Sequence, residues 1–270
     1  MVALPSPTWL IGCGNMAGAM VDGWRLAGVD LSGAVAIRPS GAPVEGIRTV
    51  TAMADAGEPP KLAILGFKPQ TLDEVAPEFA GLLTEETVVV SILAGVQAAS
   101  LRSRFLRARS VVRMIPNLPV SVRRGVVALY SDDADDPLRS QLSELAAMLG
   151  YALWTNSEAT LGAIGALAGA GPAYVARFIE ALAKAGQRCG LPDALAATLA
   201  LETVLGTAWL AAATRESMAR IADRVASPNG TTEAGLAMLD PHLDNLIAHT
   251  IDAAARRGAE LAEEAADRSS

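Results

Sequence analysis

A chain of 270 residues is long enough for two modest domains, each with a core of its own. Hydrophobic residues make up 51% and charged residues 19%, a balance that buries enough apolar surface to offset chain entropy and excludes general disorder. With 22 basic against 29 acidic residues and no basic run longer than Arg123-Arg124 or Arg256-Arg257, the chain lacks the stripe that a phosphate backbone requires, so no nucleic-acid partner is expected.

Trp9-Leu10-Ile11 reads as a strand that runs into Gly12-Cys13-Gly14-Asn15-Met16-Ala17, after which Met20, Val21, Trp24 and Leu26 recur at helical spacing. Ala34-Val35-Ala36-Ile37 is a second strand, and apolar β-branched runs at 61–67, 87–92 and 110–115 are further strands, with helices predicted at 71–83 and 97–106. Strands at 125–130 and 152–154 flank a helix at 136–149. Continuous apolar strands separated by helices indicate an α/β unit with a mostly parallel sheet covered on both faces.

After Trp154 the strand signals stop and the chain becomes Ala- and Leu-rich, with helical runs at 159–168, 173–189, 193–213, 231–239 and 242–265. The boundary is placed near Thr155, giving a dinucleotide-binding domain over residues 1–155 and an all-α domain over 156–270. Residues 159–176 carry no charge and approach the roughly 20 residues of a membrane span. Gly162, Gly165, Gly169 and Gly171-Pro172 interrupt them, and such a break would leave backbone groups unpaired in lipid, so two buried helices and no membrane contact are expected. Between Ala194 and Ala213 the only charge is Glu202. A helix apolar all round needs cover on every side, which a second copy of the chain would supply as a homodimer.

Gly12-x-Gly14-x-x-Ala17 between a strand and a helix is the dinucleotide fingerprint in its Ala variant. Gly12 permits the tight turn, Gly14 lets the backbone approach a pyrophosphate, and Ala17 allows close helix packing; the unit is therefore read as Rossmann-type. The second strand ends Ile37-Arg38-Pro39-Ser40 with no carboxylate before Glu45, so Arg38 and Ser40 favour NADP, with NADPH preferred over NADH. The loops that carry Lys68-Pro69, Ala94 and Asn117 follow later strands and are expected to line the same cleft. Ser227-Pro228-Asn229-Gly230-Thr231-Thr232 leads into a helix, whose free amides and positive end suit a small carboxylate substrate.

No Cys or His pair stands at metal-ligand spacing, so Cys13 and Cys189 are expected as free thiols and no metal is expected. The first basic residue is Arg25, which leaves no secretory n-region and makes a cytoplasmic location the expectation. His242 and His249 are read as surface or interface residues, and Cys13 as inert packing.

Taken in order, Ile11-Gly12-x-Gly14-Asn15-Met16-Ala17, Lys68-Pro69-Gln70, Ser91-Ile92-x-Ala94-Gly95-Val96, Pro116-Asn117-x-Pro119, Gly169-x-Gly171-Pro172-Ala173-Tyr174, Glu180-Ala181-Leu182, Gly190-Leu191-Pro192 and Ser227-Pro228-x-Gly230-Thr231-Thr232 resemble the Δ1-pyrroline-5-carboxylate reductases. The resemblance spans almost the whole chain. It implies NAD(P)H-dependent hydride transfer to the cyclic imine 1-pyrroline-5-carboxylate, yielding L-proline, and an all-α C-terminal dimerisation domain, with larger rings of dimers occurring in the family. It also implies that Ser227, Asn229, Gly230 and Thr231 hold the substrate, that Thr232 contacts the ring nitrogen, and that Asn15 and Met16 belong to the cofactor turn.

The chain departs from the family pattern at Leu118, Arg124, Ala170 and Asn229. The alternatives are a reductase of a related imine or hydroxyacid, or a non-catalytic NADP-binding paralogue. The Asn and catalytic Lys on a Gly-rich helix that mark the hydroxyacid dehydrogenases have no counterpart here.

Overall fold

The computed structural model describes residues 2–267, which form two compact units: residues 2–170 together with 254–267, and Gly171–Ala253. In the first unit the elements run β1 (Thr8–Ile11), α1 (Asn15–Leu26), β2 (Ala34–Ile37), β3 (Arg48–Val50), β4 (Leu62–Leu65), α2 (Leu72–Leu82), β5 (Val88–Ser91), α3 (Ala98–Arg104), β6 (Ser110–Pro116), β7 (Gly125–Tyr130), α4 (Asp136–Ala147), β8 (Gly150–Trp154) and α5 (Glu158–Ile164).

The strands form one sheet in the order β3-β2-β1-β4-β5-β6-β7-β8. Every pairing is parallel except β6 with β7. The short 3₁₀ turn Leu118–Val122 between those two strands cannot carry a crossover, so the chain doubles back antiparallel.

Both faces of the sheet are covered, which explains why the central strands read as unbroken apolar runs. Leu10 points into one core with Met20 and Trp24 of α1 and Leu138, Leu142 and Leu145 of α4. Its neighbours Trp9 and Ile11 point into the other core with Leu72, Ala76 and Phe79 of α2 and Leu101 of α3. Trp24 Nε1 donates to the Leu145 carbonyl at 2.9 Å and ties α1 to α4, while Phe79 and Phe105 meet edge to face at 5.4 Å.

The second unit holds α6 (Gly171–Arg188), α7 (Asp193–Thr214), α8 (Met218–Val225) and the start of α9 (Thr231–Asp267). The α6–α7 hairpin closes through two backbone bonds, Leu191 N to Gly186 O at 3.1 Å and Gly190 N to Gln187 O at 2.9 Å. This is a Schellman ending with Gly190 in the left-handed region (φ 92°), and Pro192 then stops the helix, which accounts for Gly190-Leu191-Pro192.

Four features differ from the sequence expectation. The three-residue edge strand β3 was not predicted, since Arg48 exposes its side chain and the run is too short for a periodic signal. Helix α8 was not predicted because its eight residues are shorter than the window over which a helical period is read; Ser217 caps it by accepting from Arg220 N at 3.3 Å, and Ile221 is its buried side chain. Helix α9 continues through Pro241 where a break between 239 and 242 was expected; a proline removes one ladder bond at a cost of about 3 kcal/mol and leaves the others in place.

The units also divide at Gly171 and not near Thr155, although the last strand does end at Trp154. Helix α5 stays with the sheet because Leu161 is fully buried there and Glu158 pairs with Arg113 of β6 at 3.3 Å. A π-helical turn, Gly165–Gly169, follows α5, and Gly165 lets it pass over Ile115, to which an added Cβ would come within 3.2 Å. The end of α9 returns to the same unit, where Leu261 lies against Gly95 and Ala265 packs on the second core.

Glu158 also accepts the Ala98 amide at 2.6 Å, so one carboxylate serves both a nearly buried guanidinium and the start of α3. Arg113→Ala should leave that carboxylate uncompensated and lower unfolding free energy by about 2–3 kcal/mol, less than for a fully buried pair because Glu158 keeps some solvent. Urea unfolding should show the loss as a lower midpoint with an unchanged slope.

Candidate active site

The strand order reverses between β1 and β4, so the loops after these neighbouring strands leave toward opposite faces and open a crevice at their carboxyl ends. Gly12 sits there with φ 76°, and a Cβ on it would come within 2.7 Å of both the Phe67 nitrogen and the Phe67 Cβ. Gly66 faces Ala17 in the same way, an added Cβ reaching the Ala17 methyl at 3.0 Å. The missing side chains at Gly12 and Gly66 therefore let the first strand–helix turn lie directly on the end of β4, with Ala17 only 1% exposed.

Gly14 is different. It is the N-cap of α1, no side chain caps the helix, and a Cβ added there would meet nothing within 4 Å. The first amides of α1 thus face open space, which is the cradle that a dinucleotide pyrophosphate fits.

A cleft of about 530 Å³ lies over this cradle. It brings together Gly14, Asn15 and Arg38 of the predicted residues, along with Leu118 and Ser121 from the turn after β6. Four residues of α1 line it at helical spacing, Asn15, Gly18, Ala19 and Asp22, a periodicity that marks one face of the helix. Arg38 is half-buried at the end of β2 and donates to the Ala42 carbonyl at 3.0 Å, which holds the following loop; Ser40 Oγ accepts the Ala42 amide.

That loop carries Glu45 into the cleft that Asp22 also lines, and Arg25 ion-pairs with both. Neither carboxylate was singled out from the sequence. Cys13 lines the cleft too, and burial pushes its thiol up to about 11, with Arg38 opposing and Asp22 assisting. The thiol stays protonated at neutral pH, as expected for a packing residue.

The other predicted cofactor residues do not line this cleft. Met16 and Ala17 face away from it along α1. Lys68 is exposed just before a 3₁₀ turn opened by Pro69, and its carbonyl accepts from Thr71. Ala94 is exposed beside Gly95, and Ser40 is exposed.

Asn117 is nearly buried and its side chain is already engaged: Oδ1 accepts from Val126 N at 2.8 Å, and Nδ2 donates to the Ala168 carbonyl at 2.9 Å. It ties the end of β6 to β7 and to the π-turn, so its observed role is to shape the loop. Ala170 closes that turn by donating to the Gly165 carbonyl at 3.1 Å.

In the helical unit, Gly230 N donates to Ser227 O at 2.9 Å, closing a turn with Pro228 and Asn229 at its centre. Asn229 has φ 56°, a conformation that Asn tolerates among the non-glycine residues, so its presence in this loop is explained by the turn. Its amide donates to Glu233 Oε2 at 2.6 Å. The first helical bond runs from Ala234 N to Gly230 O, so the amides of Thr231 and Thr232 precede the ladder, while those of Asn229 and Gly230 are already used. Ser227 is exposed and Thr232 half-buried.

His242 and His249 are exposed on α9. Among the described residues no group of three or more His, Cys, Asp or Glu is arranged to hold a metal.

A doubly wound sheet with an uncapped glycine cradle at its switch point defines a dinucleotide-binding α/β protein. Comparison with known proteins narrows this. Residues 158–261 match the family described as pyrroline-5-carboxylate reductase dimerisation. The chain is 36% identical over 262 residues to the pyrroline-5-carboxylate reductase of Pseudomonas aeruginosa, covering 94% of this chain and 96% of that one. It is 39% identical over 210 residues to the corresponding protein of Synechocystis sp., 77% of each chain. The solved pyrroline-5-carboxylate reductase of Coxiella burnetii matches with a TM-score of 0.86 at 30% identity, over 96% of this chain and 99% of that one. The chain belongs to the pyrroline-5-carboxylate reductase family, and its helical part is a homo-oligomerisation domain.

The two glycines separate folding from binding. Gly12→Ala should fail to fold or lose several degrees of thermal stability, because the backbone of Phe67 cannot yield and φ is positive. Gly14→Ala should unfold within about 0.5 kcal/mol of the parent yet bind NADP⁺ at least about tenfold more weakly, since its methyl would occupy the cradle. Thermal unfolding and cofactor titration of the two variants check both expectations.

Proposed function

We infer that this chain reduces 1-pyrroline-5-carboxylate to L-proline with NADPH, the closing step of proline synthesis. The observation that carries the reading is kinship along nearly the whole chain to reductases of that name, with the cradle of the first unit and the substrate turn of the second both intact. The open space at Gly14, the uncapped start of α1 and the cation at Arg38 fit a dinucleotide bearing a 2′-phosphate. When bound there, the cofactor would supply the hydride for the reduction.

The protein holds the substrate and offers a hydrogen-bond donor to its nitrogen, while the proton that the reduction consumes comes from solvent. Ser227 Oγ and the amides of Thr231 and Thr232 are the groups assigned to the carboxylate, helped by the positive end of α9. The Asn229 and Gly230 amides are spent on the turn, so these two residues act by shaping it. The Thr232 hydroxyl donates to the ring nitrogen, an interaction that strengthens as that nitrogen gains electron density.

Homodimerisation follows from the surface of the helical unit. Phe178 and Leu182 of α6, Leu199, Leu205 and Trp209 of α7, and Leu246 and Ile247 of α9 are all exposed. Apolar surface on this scale marks an interface. Two stretches, Glu158–Arg188 and Asp193–Thr214, are also long and apolar enough to cross a bilayer. The first contains the π-turn and Gly171-Pro172 and carries the Arg177-Glu180-Lys184 ion pairs, which favour a protein partner over lipid. We place the enzyme in the cytoplasm as a homodimer, which larger rings of dimers would contain as their unit.

Steady-state kinetics with NADPH and NADH test the assignment. Thr232→Ala should keep its affinity for NADPH and lose turnover by about tenfold to a thousandfold, Thr232→Ser should retain most activity, and Arg38→Asp should weaken NADPH selectively. Turnover unaffected by Thr232→Ala would remove its assigned role, and no wild-type turnover on any cyclic imine would favour a silent cofactor binder. Sedimentation at submicromolar concentration should show a dimer, because folding and association are coupled when so much apolar surface lies at the interface.

A further inference from the structure

Among the described residues lining the cleft, Arg38 is the one cation, and Asp22 and Glu45 are two carboxylates. On these three groups alone the cleft carries net negative charge, which opposes a phosphate dianion. Arg25 changes that balance from outside the lining. It stands in the last turn of α1, pairs with Glu45, and reaches Asp22 three residues earlier at 3.6 Å.

The local backbone fits this arrangement. Gly46 has φ 84°, and a Cβ on it would come within 3.3 Å of Arg25 Cδ, so the loop lies close on the arginine stem. The loop is held at its other end by the Arg38 bond to the Ala42 carbonyl. Two arginines thus bracket residues 38–45, one turned to the cleft and one to its acidic side chains.

We propose that Arg25 is a positioning residue for cofactor selectivity: it neutralises Asp22 and Glu45 and holds them off Arg38, so that the cleft accepts a dinucleotide bearing a 2′-phosphate. The inference rests on the NADPH reading above and adds to it a residue that does not touch the ligand. All these side chains are partly exposed, so the effect is moderate and sensitive to salt.

The test is titration of the purified full-length protein with NADP⁺ and with NAD⁺ at low and high ionic strength. Arg25→Gln should weaken NADP⁺ about threefold to tenfold relative to NAD⁺ at low salt, and the difference should shrink as the Debye length falls to about 8 Å near physiological salt. Removing the two carboxylates as well, in Arg25→Gln/Asp22→Asn/Glu45→Gln, should restore NADP⁺ affinity to the wild-type level or above.

Equal weakening of both cofactors by Arg25→Gln would reduce Arg25 to a structural prop and overturn the proposal. An undiminished defect in the triple variant would overturn it too, since Arg25 would then be touching the phosphate itself. The wild-type ratio of the two affinities judges the NADPH reading separately, because the Arg25 effect is read as a change in that ratio.

Discussion

The structure depends on how closely the turn after β1 approaches the end of β4. Two missing side chains, at Gly12 and Gly66, allow backbone to lie on backbone there, with Phe67 on one side and Ala17 on the other. This contact sets the depth at which α1 enters the sheet face. If it opened, Met20 and Trp24 would be drawn out of the first core and the Trp24 bond to the Leu145 carbonyl would be lost. The cofactor cradle is the other side of the same geometry, since the start of α1 faces the crevice only while the turn stays closed. Packing and binding therefore share one constraint, and Gly14, where an added Cβ would meet nothing within 4 Å, belongs to the binding side.

The helical unit is organised on a different principle. Where α6 and α7 come closest the residues are small, with Gly186 beside Ala196, and the buried positions are Ala183, Ala196 and Ala200. Ile221 of α8 is buried as well, while many of the large apolar side chains are left on the surface. The hydrophobic effect has no direction of its own, so a unit that cannot bury such surface internally buries it against another copy. In the first unit the opposite holds, because two cores on the faces of one sheet absorb nearly every large apolar residue.

Much of this was legible in the sequence. A strand buried on both faces has to be apolar throughout, so the β-branched runs located β1, β2, β4, β5 and β6, and the Gly12-x-Gly14-x-x-Ala17 spacing located the cradle. Less was legible where a signal is short or sits in side-chain partners. Edge strand β3 has three residues and produces no period, while α8 is amphipathic but only eight residues long, too short for its period to stand out in a longer window. Asn117 reads as a loop amide facing the cofactor, yet its hydrogen bonds go to Val126 and Ala168, which lie 9 and 51 residues away.

What the sequence determined by itself was the type of each long element and the kind of chemistry the glycine turn serves, because local sterics and periodicity act within a few residues of the chain. Tertiary structure alone decided that α5 and the end of α9 join the sheet unit, that the Asn229 and Gly230 amides are spent on their own turn, and that Asp22 and Glu45 both reach the cleft and share Arg25 as their ion-pair partner. Each of these depends on which distant groups satisfy a hydrogen bond or a charge, and that choice exists only once the sheet has brought residues far apart in sequence to the same place.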